Sequence, residues 1–176
     1  GIIVVSASGN DFSGTLGVSY PSSEEHSLSV GAVFHGDVGG IFGARTSGVD
    51  RLAPFSQRDP NLSTVFAPGV LIPAAKLDGG VVALSGTSMA APVVAGSIAV
   101  LQQISEDLLG RRLSEYEMVT LLRTQGDLIF DGDDEDDNVV NSNLAFPRLN
   151  VEKAANAMLE QALPGQYKAE LFDNTV

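Results

Sequence analysis

Ser88 stands in the run Gly86-Thr87-Ser88-Met89-Ala90-Ala91-Pro92, between the apolar tract Val81-Val82-Ala83-Leu84 and an Ala-, Val- and Leu-rich stretch that continues to about Leu109. That placement predicts a serine at the junction of a buried strand and a helix. Backbone N–H groups in a first helical turn lack partners and point along the axis, so they stabilise negative charge developing on a substrate oxygen beside the hydroxyl. A serine that merely caps a helix occupies the same position. A second group falls in Ser6-Ala7-Ser8-Gly9-Asn10, where an asparagine amide follows directly on an apolar run. Such an amide either forms a turn or donates to an oxyanion. Both features lie just past strand ends, where open α/β sheets carry their sites. A nucleophile with an oxyanion donor is the chemistry of acyl transfer.

A serine hydroxyl attacks only after a base takes its proton, and that base must itself be oriented. The chain has two histidines. His26 follows Glu24-Glu25 in the polar stretch from Ser22 to Ser27 and reads as a surface residue. His35 lies in His35-Gly36-Asp37, after the asparagine, within a glycine-rich segment that reads as a surface excursion. Neither is expected to serve as the base.

The elements that must position these groups read as an α/β protein. Ile2 to Ser8 predicts a fully buried strand of a parallel sheet covered on both faces, turned at Gly9-Asn10-Asp11. Ser27 to Val33 is expected as the next strand, Gly36 to Leu52 as a loop or short hairpin, and Val65-Phe66-Ala67 as a strand end broken at Pro68-Gly69. The helix from Ser88 places Pro92 in its first turn, and Ala95, Gly96 and Ala99 give it a thin face for close packing on the sheet. Ser114 and Glu117 have capping-box spacing, with Leu113 set to staple onto Met118, for a helix stopping near Gly126. Asn150 is expected to cap a last helix from Val151 to about Leu163. Residues 1–163 are expected to form one folded unit and 164–176 a tail.

The stretch Gly86-Thr87-Ser88-Met89-Ala90-Ala91-Pro92-Val93-Val94-Ala95-Gly96 resembles the nucleophile signature of the subtilisin-like serine proteases, the subtilases, and Ala7-Ser8-Gly9-Asn10 resembles their oxyanion segment. The likeness continues in order through Tyr20-Pro21, Ser29-Val30-Gly31-Ala32-Val33, Phe55-Ser56 and Phe66-Ala67-Pro68-Gly69, covering roughly residues 1 to 125. It implies a parallel-sheet subtilisin-like fold and a serine endopeptidase acting on polypeptides. Ser88 would attack the scissile carbonyl, and the Asn10 amide with the Ser88 N–H would bind the oxyanion. Met89 would lie beside the nucleophile, open to oxidation. Ala7, Ser8 and Gly9 would wall the S1 pocket, Asp11 would sit at its rim and modestly favour a basic P1 side chain, and Tyr20 would precede Pro21 at a position that commonly has a cis peptide. In subtilases the catalytic aspartate and histidine precede the oxyanion asparagine, in segments resembling Asp-Ser/Thr-Gly and His-Gly-Thr that this chain does not contain. The resemblance therefore predicts an incomplete fold lacking its N-terminal strands, with an apolar edge along Gly1 to Ser8. The expected partner is the missing N-terminal half of the domain or a second copy of the chain, which alone would be inactive. A secreted or extracytoplasmic location is implied by the family only.

Composition bounds the alternatives. With 22 acidic and 10 basic residues the formal charge is -12, which argues against a nucleic-acid partner and favours bound cations over anions. There are no cysteines, so disulfides, thiolate metal sites and cysteine nucleophiles are excluded. No uninterrupted apolar run approaches the roughly 18 to 20 residues of a bilayer span, so no membrane role is expected, and the opening residues lack the basic region of a signal peptide. The chemistry needs no cofactor. In Asp131-Gly132-Asp133-Asp134-Glu135-Asp136-Asp137, the alternating Asp131, Asp133, Glu135 and Asp137 either turn toward one hard cation, with structural calcium the choice the family favours, or form a solvated acidic loop. A catalytically inactive protease-like module for binding or assembly is the alternative function. An α/β-hydrolase esterase is not: its Gly-x-Ser-x-Gly elbow is broken by Ala90, and no histidine follows Ser88.

Overall fold

The apolar runs on either side of a turn-rich loop become adjacent parallel strands, β1 (Val4–Ala7) and β2 (Ser27–Val33), with Val4 opposite Ser27 and Ala7 opposite Val30. The computed structural model describes residues 1–132 and 138–164. β3 (Ser63–Pro68) pairs with β2, again in parallel. β4 (Ile72–Ala75) and β5 (Val81–Leu84) form a separate antiparallel pair that leads into α1 (Thr87–Leu109). α2 (Glu115–Gln125), β6 (Asp127–Phe130), β7 (Ala145–Arg148) and α3 (Val151–Ala162) follow. The main sheet has the order β1-β2-β3-β7-β6, with β7 parallel to β3 and β6 antiparallel to β7. The α/β class holds, with a mixed sheet where a parallel one was expected.

Side chains alternate across a strand, so each face of the sheet has its own composition. Leu28, Val30 and Ala32 of β2 and Val65 and Ala67 of β3 share one core with Ala90, Val94, Ile98 and Leu101 of α1, Met118 and Leu122 of α2, and Ala154 and Met158 of α3. Each large aliphatic side chain buried there contributes roughly 1.5–3 kcal/mol. On the opposite face Val33 and Phe66 pack with Leu52, Ile129 and Phe146. Phe66 lies directly on Gly31, where an added Cβ would come within 2.1 Å of the ring. Nearer the strand starts that face is hydroxylic: Ser22 donates to Ser29, and the Ser29 N–H donates to Thr64 Oγ1.

Helix ends follow the local signals. Ser114 caps α2 in a complete capping box with Glu117, and Asn150 Oδ1 accepts from the Lys153 N–H to cap α3. Gly110 ends α1 in the left-handed conformation.

Four local expectations are corrected. β1 is not the doubly covered strand that its apolar run suggests but the exposed apolar edge that the family resemblance implies, with Ile2 91% and Val4 48% exposed, because among the described residues nothing pairs with its outer side. β5 is largely exposed too, since its partner is the equally exposed β4. Pro92 is the sixth residue of α1, so it removes the helical donor to the Ser88 carbonyl. Ala95, Gly96 and Ala99 face away from the sheet, and α1 packs instead through Thr87, Ala90, Val94, Ile98, Leu101 and Ser105. By length and composition alone α1 could cross a bilayer; one of its faces lies against β1, β2, β3 and α3 and the other is exposed.

Candidate active site

Parallel strands deliver their C-terminal ends to one edge of a sheet. β1 ends at Ala7 and hands the chain to Asn10, while Gly69, just after β3, accepts from the Gly86 N–H at 2.8 Å and holds the start of α1 at the same edge. Gly86 has φ +153, a backbone conformation that residues with a side chain rarely adopt, so the turn into α1 beside Asn10 favours glycine. Thr87, fully buried, then knots the two segments together. Its N–H donates to Asn10 Oδ1 at 2.9 Å and its hydroxyl donates to the same oxygen at 3.0 Å, while that hydroxyl accepts from the Gly9 N–H at 3.2 Å.

These bonds fix which end of the amide is which. An oxygen is required where two donors converge, so Asn10 presents its Nδ2 donors away from Thr87. Ser88 follows at once and is exposed. Its N–H has no acceptor among the described residues, whereas the next N–H, of Met89, returns to Gly86 O at 2.9 Å. The arrangement offers one side-chain and one backbone donor, next to a hydroxyl, at a helix N-terminus with no acidic residue in its first turn. That is an anion-stabilising corner suited to a tetrahedral oxyanion.

The residues expected to line the substrate pocket lie on the segment from β1 to the cis Tyr20-Pro21 bond. Ala7 and Gly9 are partly buried, Asp11 is exposed, and Tyr20 is 79% exposed ahead of a cis Tyr20-Pro21 bond. Ser8 is fully buried: its hydroxyl donates to Gln57 O at 2.7 Å and its carbonyl accepts from the Ser19 N–H at 2.8 Å. Ser8 can therefore wall a pocket through its backbone only. Gly9 has φ +110, and Gln57 Oε1 would lie 1.8 Å from an added Cβ. Met89 is partly buried next to Ser88.

No base meets Ser88 among the described residues. His26 precedes β2 and so sits at the opposite edge of the sheet, 81% exposed, with Nδ1 3.3 Å from Glu115 Oε2. His35 is exposed just after β2. Of the acidic run, Asp133, Glu135 and Asp137 lie outside the described residues. Asp131 is described and buried; one carboxylate oxygen accepts from Arg58 Nη1 at 2.6 Å and the other from the Ser142 N–H at 2.7 Å and the Ser142 hydroxyl. Among the described residues no three carboxylates or histidines cluster to hold a metal. Sequence reasoning missed Gln57 and Arg58, which brace the pocket side, because a polar Gln-Arg-Asp-Pro segment reads as an ordinary surface turn.

The profile of the subtilase family, peptidase S8, matches residues 1–147. A cell wall-associated protease of Bacillus subtilis is 31% identical over 89% of the chain, which covers 17% of that protein, and the major intracellular serine protease of the same organism is 33% identical over 69% of the chain, which covers 35% of it. The solved prenylagaramide maturation protease PagA superposes with a TM-score of 0.66 at 26% identity, over 89% of this chain and 50% of that one. The chain thus spans at most about a third of these curated relatives and half of that solved protease. On the extent of the family match and the shared fold, the chain belongs to the subtilase family of serine proteases.

Proposed function

We propose that this chain is the nucleophile-bearing, C-terminal half of a subtilisin-like serine endopeptidase domain. The observation that carries the reading is the Asn10 amide, anchored by Thr87 with its donors free, immediately beside Ser88 at the start of α1. Ser88 Oγ attacks the scissile carbonyl of a polypeptide, and its proton passes to a histidine on the part of the protein that precedes Gly1. Asn10 Nδ2 and the Ser88 N–H hold the oxyanion, and water then hydrolyses the acyl-enzyme. That the chain spans half of PagA supports a complementing N-terminal half. So does the exposed apolar surface formed by Ile2 and Val4 with the outer face of α1, including Val100 at 52% exposure. In the complete protein a fluorophosphonate should label Ser88, and the chain alone should react barely. Equal labelling of a Ser88→Ala variant would sink the assignment.

The lack of a base beside Ser88 among the described residues favours a second reading, a catalytically inactive module for binding or assembly. The sequence preceding Gly1 separates the two: an aspartate motif followed by a histidine motif supports the enzyme, and their replacement supports the module. An extracytoplasmic location accords with the cell wall-associated relative, while the intracellular relative sets the opposite precedent, so fractionation of the native protein decides it. Structural calcium on the acidic run belongs to the same proposal, and because Asp131 is already neutralised by Arg58, an ion there would draw on its neighbours. A calcium-dependent rise in the unfolding midpoint that chelation reverses is its test.

A further inference from the structure

Among the described residues Arg58 is the largest fully buried side chain, 1% exposed, and it lies in a loop. Its Nη1 donates to Asp131 Oδ1 at 2.6 Å, Nε to Ser56 O at 2.9 Å, and Nη2 to the carbonyls of Ala53 and Pro54 at 3.1 Å each. The guanidinium also stacks 3.8 Å from the centre of the Phe12 ring. Desolvating such a pair costs about as much as its attraction returns, so what it contributes must be sought in what it holds in place.

The 53–58 segment that it anchors holds the backbone on both sides of Asn10. The neighbouring Gln57 donates its N–H to Gly9 O at 2.9 Å, accepts the Ser8 hydroxyl on its carbonyl at 2.7 Å, and accepts the Ser19 hydroxyl on its side chain at 2.5 Å. Arg58 O accepts from the Gly17 N–H at 3.0 Å, and the Phe12 N–H donates to Phe55 O at 3.1 Å. Phe12, the 53–56 carbonyls and Asp131, itself bonded to Ser142, therefore meet at one planar cation.

We infer that Arg58 is a positioning residue for recognition of the P1 side chain. Paired with Asp131 and stacked on Phe12, it anchors the 53–58 segment whose Gln57 binds Ser8 and Gly9. It thereby sets the backbone geometry of the two positions that the subtilase resemblance makes a wall of the P1 site. The inference rests on the peptidase reading above. Lysine in its place keeps a charge for Asp131 but loses the planar fork that binds three carbonyls.

The test measures kcat/KM of the complete protein for two peptides that share a leaving group and differ only in a large or an alanine P1 residue. Arg58→Lys should lower the large-to-alanine ratio by about tenfold or more, on the scale of pocket-contact discrimination, chiefly through KM for the large residue. Phe12→Leu keeps the ion pair and every carbonyl contact, and it should lower the ratio in the same direction, which carries the test if Arg58→Lys does not fold. Variants that unfold cooperatively and lose activity equally on both peptides, leaving the ratio unchanged, overturn the inference alone. A wild-type protein that cleaves neither peptide overturns the peptidase reading and this inference with it.

Discussion

Thr87 makes three hydrogen bonds with two groups, and two of them depend on its side-chain hydroxyl. The N–H and the hydroxyl both donate to Asn10 Oδ1, and the hydroxyl also takes the Gly9 N–H. Asn10→Ala removes the amide itself, and in the complete enzyme it should lower kcat by about 10²–10³ with little change in KM, as loss of one oxyanion donor does. Thr87→Val keeps the backbone bond to Asn10 but strands the part-buried Gly9 N–H, which costs stability by about 1–3 kcal/mol. Its kcat should fall less than that of Asn10→Ala, while its unfolding midpoint falls more. Steady-state kinetics and thermal unfolding of the two variants side by side check the ordering, and the reverse order would show that Asn10 is a turn former. The serine and the asparagine were legible in sequence because each sits in a short contiguous motif. Thr87 as a knot and Arg58 as a brace were not, since their partners lie more than 70 residues away.

The start of α2 joins chain-local chemistry to pH dependence. Glu117 is held by the Arg111 guanidinium first, then by the Ser114 N–H and hydroxyl, and its carboxyl is lowered from the ordinary 4.5 to about 2. A depressed carboxyl adds stability that is fully present above its unfolded value and is lost as the pH falls from about 4.5 toward 2. The group is solvent-exposed, so the effect is small, and salt weakens it. Glu117→Gln should lower the thermal midpoint near neutral pH, and the gap to wild type should close across that acid window. A gap that persists at the acid end would assign the stability to another group. The capping residues of α2 and α3 could be read because a cap and its N–H are three residues apart. β4, β6 and β7 could not, being four-residue strands such as Asp127-Leu128-Ile129-Phe130 whose existence depends on a distant partner. The exposure of β5 was hidden for the same reason: an apolar run looks buried until its neighbour in the sheet is known.

A glycine in the middle of a long helix destabilises it by about 1 kcal/mol relative to alanine, and nothing among the described residues requires one at position 96. An added Cβ there meets open space, on the same outer face of α1 as Ala95, Ala99 and the half-exposed Val100. The small side chains are explained if that face receives a closely packed element from the N-terminal half, while the open side of β1 receives its next strand. Gly96→Ala should then separate folding from assembly. In the isolated chain it should raise stability by up to about 1 kcal/mol, read from denaturant unfolding. In a mixture with the separately produced N-terminal half it should weaken association and lower the rate of Ser88 labelling by a fluorophosphonate. If Gly96→Ala improves stability and leaves both association and labelling untouched, the outer face of α1 is not the seam, and the proposed complementing half would have to dock through the β1 edge alone.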